Sequence, residues 1–117
     1  MKKQSKNFTI IDWDIAKYIR ENARPTNNPN RKISYSDLLI IFYIKGFGFD
    51  GYYGSQASLG KVLGMTQEQI SRSMKTLLNT VNINTNIPIL HKNEKLIWFN
   101  ENFFNDEYGS LLPDVPI

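Results

Sequence analysis

Residues 55–78, SQASLGKVLGMTQEQISRSMKTLL, constrain the fold of this chain more than any other stretch. They read as a helix over 56–63, a tight turn on Gly64 and a second helix over 67–79. Two helices that cross at so short a turn make demands on particular positions. The middle of the first needs a small residue where the second passes, and Gly60 is there. Four residues later the turn needs a residue that tolerates positive φ, and Gly64 is there. Ile70 then plugs the second helix into the first, helped by Leu59, Leu63 and Met65. Met74, Leu77 and Leu78 continue the stripe at i+4, i+7 and i+8 from Ile70. Thr66 and Gln69 have the spacing of a capping box, which starts the second helix at Thr66.

This layout is a helix-turn-helix, whose second helix enters the DNA major groove. At 100° per residue, Glu68, Gln69, Arg72, Lys75 and Thr76 fall opposite the apolar stripe. Gln67 sits at the exposed N-terminal end. Gln can pair bidentately with adenine and Arg with guanine. Ser71, Ser73 and Lys75 suit phosphate contacts, which position a protein without reading sequence. Gln69 is compromised by its capping role. Taken alone, such a polar face is more often a solvated surface; the Gly60, Gly64 and Ile70 register favours DNA.

The flanks organise around this unit. Asp12 can cap a helix over roughly 13–23, buried either through Trp13, Ala16 and Ile19 or through Ile15 and Ile19. RPTNNPN (24–30) reads as a loop without regular structure. Ser34 or Ser36 caps a helix over 36–45 that is apolar almost all round and therefore central. A glycine- and aromatic-rich connector spans 46–54. NTVNINTN (79–86) reads as a polar linker. IPILHK and LIWFN read as two strands of a hairpin turning at Asn93-Glu94. The tail from 101 has no clear period, although Phe103, Phe104, Leu111 and Leu112 can pin part of it to the body.

The run Tyr53, Gly54, Ser55-Gln56, Leu59-Gly60, Leu63-Gly64, Thr66 and Ser71-Arg72 resembles that of winged helix-turn-helix proteins. The resemblance covers about 34–100, with helix 36–45 in the place of the family's first helix and the hairpin of about 88–99 in the place of its wing. It implies a mainly α fold with a small β-hairpin (α+β), carrying an extra N-terminal helix in 1–33 and an acidic tail in 101–117. It also implies that the wing touches DNA backbone or minor groove, here through His91, Lys92, Asn93 and Lys95. The wing is short, and a hairpin that only completes the core through Leu90, Leu96, Trp98 and Phe99 is an equal reading. Such domains occur in bacterial transcription regulators, in replication initiators and conjugation accessory proteins of plasmids, and in phage proteins.

The charge distribution agrees. Residues 1–100 carry all 14 Lys and Arg and only 7 acids, net +7, whereas 101–117 carry 4 acids and no base. A basic body suits a polyanion. With no cysteine and an apolar run of only seven residues at Leu38–Ile44, neither a disulfide framework nor a membrane span is expected, and a cytoplasmic location is. MKKQSK resembles the start of a signal peptide, but Asp12 and Asp14 interrupt the apolar segment that should follow.

Other chemistry is weakly signalled. Gly46-Phe-Gly-Phe-Asp-Gly51 fits the dinucleotide fingerprint, which needs a preceding strand where a helix is expected here. His91 is the single histidine and cannot build a structural zinc site without cysteine. Trp13, Tyr52, Tyr53 and Trp98 could stack on single-stranded bases, but beside apolar runs they read as core. The expected function is therefore non-catalytic binding of double-stranded DNA, without a cofactor, by recognition helix 66–79. Lys61, Lys92 and Lys95 would hold phosphates. The role would be a small transcription regulator or a replication or transfer factor of a mobile element. The alternative is a winged-helix module that binds protein rather than DNA. A homodimer or a partner protein would use the N-terminal helix or the acidic tail.

Overall fold

A computed structural model describes residues 12–104. Residues 105–117 of the acidic tail, Leu111 and Leu112 among them, lie outside that range, as does MKKQSK at the start. The described chain is α+β, with four α-helices and two small antiparallel sheets of two strands each.

Helix α1 spans Trp13–Asn22, and the Asp12 carboxylate accepts from the Asp14 and Ile15 backbone N–H groups at 2.9 and 3.3 Å. Its buried face is Ile15, Ala16, Tyr18 and Ile19. Of the two phases open in the sequence, the one through Ile15 and Ile19 is adopted. That rotates Trp13 out to 75% exposure, correcting the expectation that it is core.

Strand β1, Ala23–Pro25, follows at once. It pairs with β2, Thr80–Asn82, in the register Ala23↔Asn82, Arg24↔Val81 and Pro25↔Thr80. Two expectations fail here. The stretch from Arg24 begins in a strand, and the linker at 79–86 contains one whose Thr80 and Asn82 are fully buried. Pro25 is tolerated because a two-stranded ribbon consists of edges, where a missing N–H costs no ladder bond.

Helix α2, Tyr35–Lys45, is capped by Ser34, whose hydroxyl accepts from Asp37 N–H at 3.1 Å. Ile40, Ile41 and Ile44 are fully buried, so α2 is the central helix its composition implies. A 3₁₀ turn at Gly48–Asp50 leads to Tyr52. Helix α3 is Gln56–Leu63 and α4 is Gln67–Leu77. The hairpin pairs β3, Leu90–Asn93, with β4, Leu96–Phe99. Asn93 pairs with Leu96, so the turn is Glu94-Lys95, one residue later than expected, with Glu94 taking φ +58°. Pro88 instead bridges back to Val81, which shortens the first strand.

A closing 3₁₀ turn, Glu101–Phe104, buries Phe103 and Phe104. Phe104 packs on Tyr18 with ring centroids 5.6 Å apart. Asn82 sits at the centre of this closure. Its amide donates to the Tyr18 hydroxyl and to the Phe103 carbonyl, both at 3.0 Å, and its oxygen accepts from Asn84 N–H at 2.8 Å. One core therefore joins α1, α2, the α3–α4 pair and the chain beyond the hairpin.

Candidate nucleic-acid interface

The turn between α3 and α4 is built as its residues demand. Gly64 takes φ +72° and ψ +31°, the left-handed conformation that glycine adopts without a Cβ penalty. The Gly60 carbonyl accepts from the Gly64 N–H and, at 2.8 Å, from the Met65 N–H. A Cβ on Gly60 would stand 2.5 Å from the Met65 carbonyl oxygen and 3.5 Å from Ile70 Cγ1. Glycine is thus required there by the approach of the turn's own backbone.

Thr66 and Gln69 close the capping box in both directions. Gln69 N–H donates to Thr66 Oγ1 at 3.1 Å, and Thr66 N–H donates to Gln69 Oε1 at 2.9 Å. The helix proper begins at Gln67, with Thr66 as its cap. Ile70, Met74 and Leu77 face the core. Gln67, Glu68, Gln69, Arg72 and Lys75 are exposed, while Ser71, Ser73 and Thr76 are half-buried at the margins. The Thr76 hydroxyl turns back to the Arg72 carbonyl at 3.4 Å, and Thr66 is spent on its cap. The side chains on α4 left to project are therefore Gln67, Glu68, Arg72 and Lys75.

At the hairpin, His91, Lys92, Asn93 and Lys95 are all exposed. His91 lies against Trp98, with ring centroids 5.5 Å apart. The sides of the hairpin belong to the core, through Leu90 and Phe99. The two readings of the hairpin are thus divided along its length: its base is packing and its tip is free.

Tyr52 connects the two sets of exposed residues. Its N–H donates to the Ile97 carbonyl at 2.6 Å, and the Ile97 N–H donates to its carbonyl at 3.0 Å. This antiparallel bridge lies on the other edge of β4 from β3, and its chain runs straight into α3. The Tyr52 hydroxyl donates to the Ser55 carbonyl at 2.8 Å. Burial, and secondarily the neighbouring Tyr43, raises its pKa.

Tyr53 was expected in the core but is 70% exposed. It lines an open hollow of about 740 Å³ with Asn93, Glu94, Lys95 and Leu96. Period-two alternation could have placed it: in an extended segment, Tyr52 pointing in forces Tyr53 out. Lys61 is exposed on α3. Among Lys61, α4 and the hairpin tip there are five Lys or Arg, at 61, 72, 75, 92 and 95, against two acids, Glu68 and Glu94. Among the described residues no group of three or more His, Cys, Asp or Glu could hold a metal ion, and no helix is long and apolar enough to cross a membrane.

Compared with protein-family models, with curated proteins and with solved structures, the chain matches none.

Proposed function

We propose that this protein binds double-stranded DNA without catalysis, as a winged helix-turn-helix domain with α4 in the major groove. The observation that carries this reading is the α3–α4 crossing. Gly60 admits the backbone of the turn, Gly64 takes its left-handed conformation, and Ile70, Met74 and Leu77 face the core, which leaves Gln67, Arg72 and Lys75 exposed. The hairpin stitched through Tyr52 to the start of α3 supports a wing beside that face. In this arrangement Gln67 and Arg72 read base edges, and Lys61, Lys75, Lys92 and Lys95 hold phosphates. Gln69 contributes little, because its Oε1 is committed to the cap. A chain of this kind serves as a small transcription regulator or as a replication or transfer factor of a mobile element.

Four lysines on phosphates give a salt slope of about −3.6, so affinity falls about 150-fold between about 50 and 200 mM salt. Fluorescence titration of labelled mixed duplex at the two salt concentrations measures this. Absence of salt-sensitive binding at micromolar protein rejects the proposal in favour of a protein-binding module. Selection from a random duplex pool then supplies a site. On that site Arg72→Ala costs about 1–3 kcal/mol and relaxes one base position. Unchanged affinity of the Gln67→Ala, Arg72→Ala double variant shows that α4 is not the reading helix.

A further inference from the structure

Between α1 and the start of α2 runs a groove of about 370 Å³, within the range of roughly 300–1,000 Å³ usual for ligand sites. It shares no residue with α4 or the hairpin. Two aromatic rings stand at its sides, Trp13 at 75% exposure and Tyr35 at 71%. Each is the first residue of its helix. Lys17, Arg20 and Lys32 line the groove with a single acid, Glu21. The Arg20 guanidinium lies over the Tyr35 ring, 4.3 Å from its centroid.

We propose that this groove binds single-stranded nucleic acid, with a base stacked on Trp13 and phosphates held by Lys17, Arg20 and Lys32. The chemistry favours that ligand over a protein segment. The aliphatic residues of the lining, Ala16 and Leu38, are each only 6% exposed, so they offer a protein partner little surface to bury. What the groove does present is aromatic face and positive charge. Every base has a π face, and a chain of phosphates follows it, so this pairing accepts single strands of any sequence. Arg20 on Tyr35 already forms a cation–π stack, which holds the guanidinium in place for a phosphate. Asp14 is exposed next to Trp13, and the Asp12 carboxylate is occupied by the α1 cap. A paired duplex keeps its bases stacked and cannot engage Trp13.

Indole fluorescence tests this directly, since the chain has two tryptophans. In a Trp98→Phe variant Trp13 is the only reporter. Titration with an oligothymidylate strand is expected to quench it saturably, and mixed duplex is expected to leave it unquenched. Trp13→Ala weakens strand binding, followed by anisotropy, about fivefold or more. It leaves duplex affinity within twofold, and its unfolding transition stays with the parent because the side chain is exposed. Each of Lys17→Ala, Arg20→Ala and Lys32→Ala lowers the salt slope for the strand by about 0.7. No quenching by the strand at micromolar protein and low salt overturns the proposal. Equal quenching by duplex overturns it too, assigning the groove to duplex backbone. Quenching by a peptide of residues 105–117 but not by the strand overturns it in favour of an acidic protein segment.

Discussion

Replacing Gly60 by alanine is the sharpest test of the α3–α4 turn on which the proposed interface depends. In an exposed helix the change would stabilise by about 1 kcal/mol, since glycine is the poorer helix former. Here the new Cβ would meet the Met65 carbonyl oxygen at 2.5 Å. A carbon and a carbonyl oxygen in ordinary contact stay about 3.3 Å or more apart. The turn must therefore retreat by about 0.8 Å. It cannot retreat freely, because Met65 N–H is bonded to the carbonyl of this same Gly60 at 2.8 Å. Overpacking of about 3 kcal/mol and a weakened hydrogen bond of about 1 outweigh the propensity gain. The net loss is about 2–3 kcal/mol, a fall in Tm of roughly 8–12 °C for a chain of this size. Circular dichroism melts with urea titration measure it, and Gly64 supplies the control. A Cβ there has nothing within 4 Å, so only its φ of +72° matters. Gly64→Ala costs about 1 kcal/mol net, and Gly64→Asn costs less because Asn tolerates the left-handed region. If Gly60→Ala melts at or above the parent, the turn lies farther from α3 than described, and the start of α4 that it sets is refuted.

Other substitutions probe the remaining supports. Thr66→Ala removes the α4 cap and costs about 1 kcal/mol; adding Gln69→Ala costs less than its separate value, because the two share one box. Equal and additive losses in chemical denaturation would refute the shared cap. Asn82→Ala strands the Phe103 carbonyl, the Asn84 N–H and a Tyr18 contact, and lowers stability by about 3 kcal/mol or more, read from the urea midpoint. Phe103→Ala costs about 3–5 kcal/mol by the same measurement, and a neutral result would show that the chain after the hairpin is not part of the core. The Tyr52 phenol titrates higher folded than unfolded. Below about pH 10 both states hold the proton and stability is flat. Above it the unfolded chain ionises first, so stability falls as pH rises. Tyr52→Phe should flatten that alkaline decline in melts from pH 8 upward.

The α3–turn–α4 unit was legible because its constraints are local. Gly60, Gly64, Thr66, Gln69 and Ile70 span eleven residues, and each answers a requirement set by its neighbours. The exposed face of α4 followed from the same register. What escaped was non-local. NTVNINTN does alternate over Thr80–Asn84, but in the inverted sense: Val81 is half-buried and Ile83 exposed, whereas the inward residues of β2 are the polar Thr80 and Asn82. Their partners lie near positions 18, 23–25 and 103, and those pairings leave no trace in the segment itself. Trp13 and Tyr53 failed for another reason. Adjacency to apolar residues does not set burial; the phase of the helix and the pleat of the strand decide which way a ring points. The groove beside Trp13 was missed with it.

The closure at Asn82 bears on how the chain comes to be folded at all. Its side chain spans 64 positions back to Tyr18 and 21 forward to Phe103. On a ribosome, α1 would be made early and then wait for the rest of the chain before its buried face is covered. The contacts of the α3–α4 pair close over a short turn, whereas the α1 side must search across nearly the full described length, a slow step for so helical a protein. The buried face of α1 thus stays uncovered until late in synthesis, and its packing is completed only once Phe103 has emerged.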